Sequence, residues 1–146
     1  MLNKQRSIIY ISLTMLSLSG CSQGKSEPKI SGRWYTQSDI DLGRKHFLNH
    51  CSSCHGENAE GTVDWRERLS DGSFPPPPLN GTAHAWHHNM STLLRTINDG
   101  GVPLGGKMPG FKEVLSNKEK LALIAYFQKF WPNEIYQYWL EREGTK

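Results

Sequence analysis

Cys51-Ser52-Ser53-Cys54-His55 is the stretch on which the reading of this chain turns. Two thiols separated by two residues and followed at once by an imidazole form the C-x-x-C-H pattern of covalent haem attachment. Each part has a chemical job. The thiols can add across the two vinyl groups on one edge of a haem, giving two thioether links, and His55 then reaches the iron from the same side as proximal ligand. A thioredoxin-like redox pair or half of a zinc site also needs two cysteines, but neither needs the adjacent histidine. No second C-x-x-C is present to complete a zinc cage.

The remaining cysteine, Cys21, sits in a different setting. Residues 1–20 have the form of an export signal, with Lys4 and Arg6 as the positive start and Ile8 to Leu18 as an apolar run. That run falls short of the roughly twenty apolar residues a spanning helix needs. Leu18-Ser19-Gly20-Cys21 resembles the bacterial lipobox, in which cleavage before the cysteine leaves it as the lipid-bearing first residue. Every cysteine then has a use and no disulfide is expected. Export agrees with the haem motif, because bacterial c-type haem is attached outside the cytoplasmic membrane. Ser22 after the lipid cysteine resembles the sorting pattern for the periplasmic leaflet of a Gram-negative outer membrane. The expected organisation is a signal peptide over 1–20, a lipidated Cys21 with a polar tether to 38, and one folded domain over 39–146. Trp34 and Tyr35 are candidates to pack on that domain, which leaves its start open by several residues.

The formal charge of +3 owes much to Lys4 and Arg6. Without them the balance is about +1, too small a field to argue for nucleic acid as a partner. Lipid rather than charge would hold such a protein at a membrane.

Along the folded part, a helix is expected from Ser38 or Asp39 towards Cys51, with Gly43 on the same face as Phe47. A glycine inside a helix costs about 1 kcal/mol relative to alanine, so Gly43 suggests close approach of another helix. Residues 56–90 read as mostly irregular, broken by glycines and by the extended run Pro75-Pro76-Pro77-Pro78. Ser91 to Asn98 carries Leu93, Leu94 and Ile97 at helical spacing, stopped by Gly100-Gly101. Ser116-Asn117-Lys118-Glu119 is a capping-box pattern. Leu123, Tyr126, Phe127 and Phe130 follow it at one-face spacing. Pro132 ends that helix and opens another, Asn133 to Arg142. No strand pattern and no internal repeat is seen, so the fold class expected is all-α.

An iron held by His55 alone has a free axial position. Met108 lies in Gly105-Gly106-Lys107-Met108-Pro109-Gly110-Phe111, a loop that can lay a thioether over a haem face. A lone methionine is more often core filling, but a glycine-rich loop is an unusual place for a core methionine. Histidine–methionine ligation saturates the iron and raises its potential, which suits electron transfer. The rival is His84, His87 and His88: were Thr82 to His88 helical, they would share metal-ligand spacing. They could then take the iron or hold copper or zinc. The reading favoured here is that they line the haem periphery, meet propionates or sit in solvent. His46 and His50 are expected at the surface.

Together these residues resemble the class I cytochromes c of the single-haem bacterial type, over about Asp39 to Trp131. Gly43 and Phe47 look like the glycine/aromatic pair of that family's N-terminal helix, and Ala125-Tyr126 like the aromatic site of its C-terminal helix. Pro78-Leu79-Asn80-Gly81 resembles the family's Pro-Leu-x-Gly, whose proline carbonyl accepts a hydrogen bond from the proximal imidazole. The resemblance implies a small cytochrome c fold around one covalent haem c. Cys51 and Cys54 would attach it, His55 and Met108 would ligate the iron, and Pro78 would orient His55. It implies an electron carrier with redox partner proteins and not an enzyme, which the export signal and lipobox would anchor by lipid at Cys21, facing the periplasm. The alternatives are an exchangeable distal site for a small molecule, or metal handling by His84, His87 and His88. The stretch from His55 to Pro78 is longer than in the family's smallest members, and the His-rich segment is not part of the general pattern.

Overall fold

The computed structural model describes residues 26–142 and 144–146. The signal segment and Cys21 lie outside the described residues. Five α-helices follow one another: α1 (Gln37–His50), the single turn α2 (Ser52–His55), α3 (Met90–Asp99), α4 (Asn117–Gln128) and α5 (Asn133–Glu141). Two 3-10 turns, Ala85–His87 and Val102–Leu104, interrupt the loops. Among the described residues there is no strand, only an isolated bridge between Lys29 and Thr36, so the fold is all-α, as its sequence suggested. No helix among them is long and apolar enough to cross a membrane.

α1 starts earlier than its sequence suggested. The cap is Thr36, whose hydroxyl accepts from Asp39 N while the Asp39 carboxylate accepts from Thr36 N. Asp39 is the returning residue of a capping box, not the cap. α4 begins as expected, with Ser116 and Glu119 in the same reciprocal arrangement. It is buried almost all round, from Ala122 to Gln128.

α1 and α4 cross at Gly43. A Cβ at that position would run into the Ala122 carbonyl and lie 2.9 Å from Tyr126 Cβ. The hydrogen atom of glycine is what lets the two backbones meet. Phe47 and Tyr126 then pack ring to ring at 5.1 Å beside the crossing.

Packing also begins upstream of Asp39. Tyr35 is 1% exposed, and burial pushes its phenol up to about 12. Trp34 donates from Nε1 to Gln128 Oε1 and from its main-chain N–H to Tyr136 Oη, while Arg33 donates to Trp131 O and Asn133 Oδ1. The chain ahead of α1 is thus strapped across the junction of α4 and α5. His46 is not a surface residue either: its side chain is 12% exposed and its Nε2 lies 3.2 Å from Glu119 Oε1.

Candidate haem site

α1 ends where the site begins. Cys51 N–H closes the last turn of α1 on Phe47 O, and Cys54 and His55 both donate to Cys51 O. One helical turn therefore presents both thiols and the imidazole. Cys51 is half-buried, Cys54 is exposed and His55 is 7% exposed. Neither of the two thiols is in a disulfide. Burial, with Cys54 beside it, pushes the Cys51 thiol up to about 11. A redox-active pair needs a lowered thiol, so this environment is the wrong one for thioredoxin-like exchange and suits thiols that are consumed in thioether links.

His55 Nδ1 lies 2.9 Å from Pro77 O. A carbonyl can only accept, so the proton sits on Nδ1 and the Nε2 lone pair is left for a metal. Burial holds the His55 pKa below its ordinary value, against the opposing pull of that hydrogen bond; the neutral ring is the ligating form. The residues fit a haem c: two free thiols and a neutral, oriented imidazole on one turn.

The orienting carbonyl is that of Pro77, which corrects the sequence assignment to Pro78. Successive carbonyls of an extended proline run point in different directions. Pro76 O accepts from Thr62 N, Pro77 O takes the imidazole, and Leu79 N and Asn80 N return to Ala59 O. The prolines supply carbonyls without adding N–H groups that would need partners. Gly61, at φ +58°, lets the run lie against the loop leaving His55, where a Cβ would come within 2.5 Å of Pro77 C. Two further anchors escaped the sequence reading: Tyr126 Oη donates to Glu57 O, and Trp131 Nε1 donates to Leu79 O. Only their aromatic type hinted at such roles.

Met108 is half-buried in a loop held by main-chain bonds. Gly101 N donates to Met108 O at 2.9 Å, Gly106 N to Gly101 O, and Phe111 N to Ile97 O. Phe74 N donates to Gly105 O, tying this loop to the chain just ahead of the proline run. Lys107 pairs with Asp71. The other methionine of the folded part, Met90, is 8% exposed and belongs to the core, which leaves Met108 as the methionine available for a ligand role.

His84, His87 and His88 are not brought together as the helical reading required. Only Ala85–His87 is coiled, as a 3-10 turn. His84 stacks on Trp65 at 4.7 Å and His87 on Trp86 at 3.7 Å, and His84 meets His88 edge to face at 5.3 Å. Among the described residues no group of three or more His, Cys, Asp or Glu side chains is placed to hold a metal ion.

Residues 38–127 match the family model described as cytochrome c oxidase, cbb3-type, subunit III. Among solved structures the chain is similar to cytochrome cL from the marine methylotrophic bacterium Methylophaga aminisulfidivorans MPT. The TM-score is 0.50 and the identity 22%, over 80% of this chain and 74% of that one; a likeness of this degree speaks to the fold. No curated protein matches.

Proposed function

From the premise that this chain belongs to the family of that model, cytochrome c oxidase, cbb3-type, subunit III, we propose that His55 and Met108 are the two axial ligands of its haem iron. It is a class I single-haem c-type cytochrome, its cofactor is a covalent haem c, and its work is electron transfer with redox partners rather than catalysis. The haem supplies one-electron cycling between ferrous and ferric iron.

The observation that carries the ligand assignment is the contrast in how the two methionines are held. Met90 opens α3 and lies inside the core cluster, while Met108 packs only at the edge of that cluster, half-buried, on a glycine-rich loop whose Gly101 N holds its carbonyl. The side chains around the iron then have distinct tasks. Cys51 and Cys54 would tie the cofactor down, the Pro77 carbonyl holds His55 in the tautomer that leaves Nε2 for the iron, and Met108 would supply the second ligand and keep exogenous ligands out. A thioether opposite an imidazole raises the potential.

The carrier is exported through residues 1–20 and held at a periplasmic membrane surface by lipid on Cys21, as its sequence suggests. Cys21→Ala should move the holoprotein from the membrane fraction to the soluble one; retention in the membrane would refute lipid anchoring. The ligand assignment is tested by the ferric near-infrared spectrum of the holoprotein and of Met108→Ala. A methionine–iron charge-transfer band in the parent, absent from the variant, is expected. A parent without that band, or a spectrum indifferent to the substitution, would remove Met108 from the iron.

A further inference from the structure

Two loops leave and return to His55, and a polar corner forms where they touch. Trp65 lies on the loop that departs from the haem turn, and His84 lies just beyond the proline run whose Pro77 carbonyl holds His55. Their rings stack at 4.7 Å and 21°, with the Arg66 guanidinium 4.7 Å from the Trp65 ring. His84 Nδ1 is shielded from solvent and has no hydrogen-bond partner. A shielded imidazole nitrogen without a partner is costly, so this atom calls for one.

The charges around it say what kind. Burial first, then His88, His87 and Arg66, hold the His84 pKa below its ordinary value, and burial with His87 and Arg95 does the same for His88, so Arg66 and Arg95 are the fixed positive charges of this corner. A corner built of donors and cations is complementary to an anion, not to a metal ion. Haem c brings two anions of its own. Thioether links at Cys51 and Cys54 fix the vinyl edge of the ring, so the propionates leave from another edge and must be met by residues away from α2.

We propose that His84 Nδ1 donates a hydrogen bond to a haem propionate carboxylate, with Trp65 holding the imidazole by stacking and Arg66 supplying positive charge beside it. This rests on the haem c already assigned and does not depend on Met108 being the sixth ligand, since the propionates are not bound to iron. A charge-assisted hydrogen bond of this kind favours the ionised carboxylate.

The test is a pH titration of the propionate methylene proton resonances in ferrous holoprotein, for the parent, His84→Phe and His84→Asn. Phenylalanine keeps the stack and removes the donor; the asparagine amide places a donor near the position of Nδ1. In His84→Phe the midpoint of one propionate should rise by a unit or more, a tenfold gain in proton affinity. His84→Asn should return most of that shift. The reduction potential of His84→Phe should then fall as pH rises through the new midpoint, because an ionised propionate favours ferric iron. Identical propionate titrations in parent and His84→Phe would overturn the proposal. So would stoichiometric Zn²⁺ uptake by the parent that His84→Phe abolishes while the propionates titrate unchanged, which would make the corner a metal site. Should His84→Phe fail to accumulate as holoprotein, nitrogen-15 spectra of the histidine-labelled parent decide. A slowly exchanging proton on His84 Nδ1 supports the assignment, and a proton on Nε2 refutes it.

Discussion

The α1–α4 crossing and the pair of loops around His55 and Met108 are both tightly packed, but by opposite means. The crossing spreads its support over many partners: Phe47, Leu123, Ile124, Tyr126 and Phe127 all lie in one buried cluster. The loops rest more on individual hydrogen bonds between segments distant in sequence. One carbonyl holds His55, one N–H holds the Met108 carbonyl, and one links Phe74 to Gly105. Damage to the crossing should therefore appear as lost stability with an unchanged site. Damage to a loop should appear as a changed site with most of the stability kept.

The largest expected effect comes from breaking the crossing. On an exposed helix face Gly43→Ala would gain about 1 kcal/mol from helix propensity. Here the methyl meets the Ala122 carbonyl and Tyr126 Cβ, and the loss should be roughly 3 kcal/mol, at the upper end of overpacking costs. Denaturant unfolding of the holoprotein measures it, and a fall in Tm on the order of 10 °C should accompany it. The optical spectrum of the protein that remains folded should match the parent. A stabilised Gly43→Ala would mean the helices do not meet there.

Next come the two loop glycines, which separate the two sides of the iron. At Gly100, φ +81°, a Cβ would lie 2.5 Å from Met108 O; at Gly61, φ +58°, it would lie 2.5 Å from Pro77 C. In either place alanine adds about 1–2 kcal/mol of left-handed strain to a main-chain overlap that the loop must shift to relieve, so stability alone should not distinguish the variants. Spectroscopy should. Gly100→Ala should weaken the methionine charge-transfer band with the haem still attached. Gly61→Ala should keep the band and raise the reduction potential, because an imidazole that loses its carbonyl partner is a poorer donor. Two variants with the same spectroscopic signature would collapse the distinction between the loops.

The same contrast explains what the sequence disclosed. Helices advertise themselves by period and cap: Ser116 with Glu119, the apolar face of α4, and the odd glycine at 43 were all legible because each follows a local rule. Thr36 was passed over for Ser38 and Asp39 because all three are acceptable caps, and only the Asp39 carboxylate returning to Thr36 N decides between them. The attachment turn was legible because its chemistry demands a fixed spacing. Pro77 was not, since four consecutive prolines offer four equivalent carbonyls and the choice depends on how Gly61 seats the run against its neighbour. The rival metal reading of the histidines is conditional on a helix, and the chain from Thr82 to His88 coils only over Ala85–His87. Local pattern predicts regular structure; the loops are decided by contacts distant in sequence.

The smallest effect sharpens the frame side of the comparison through pH. Hydrogen bonds from Ser116, main chain first and hydroxyl second, hold the Glu119 carboxyl below its usual range, and its other oxygen reaches His46 on α1. Ser116→Ala should cost about 1 kcal/mol near neutrality, the usual value of an N-cap. Because the folded carboxyl titrates below the unfolded one, its contribution is present above the unfolded value and is lost as pH falls through the lowered folded value. The stability gap between parent and Ser116→Ala should therefore narrow below about pH 4, read by urea unfolding across the acid range. A gap that stays constant would mean that the Ser116 hydroxyl does not stabilise the ionised carboxylate. A shifted charge-transfer band in Ser116→Ala would be more serious, because it would show the α4 cap reaching the iron and the division between frame and loops failing.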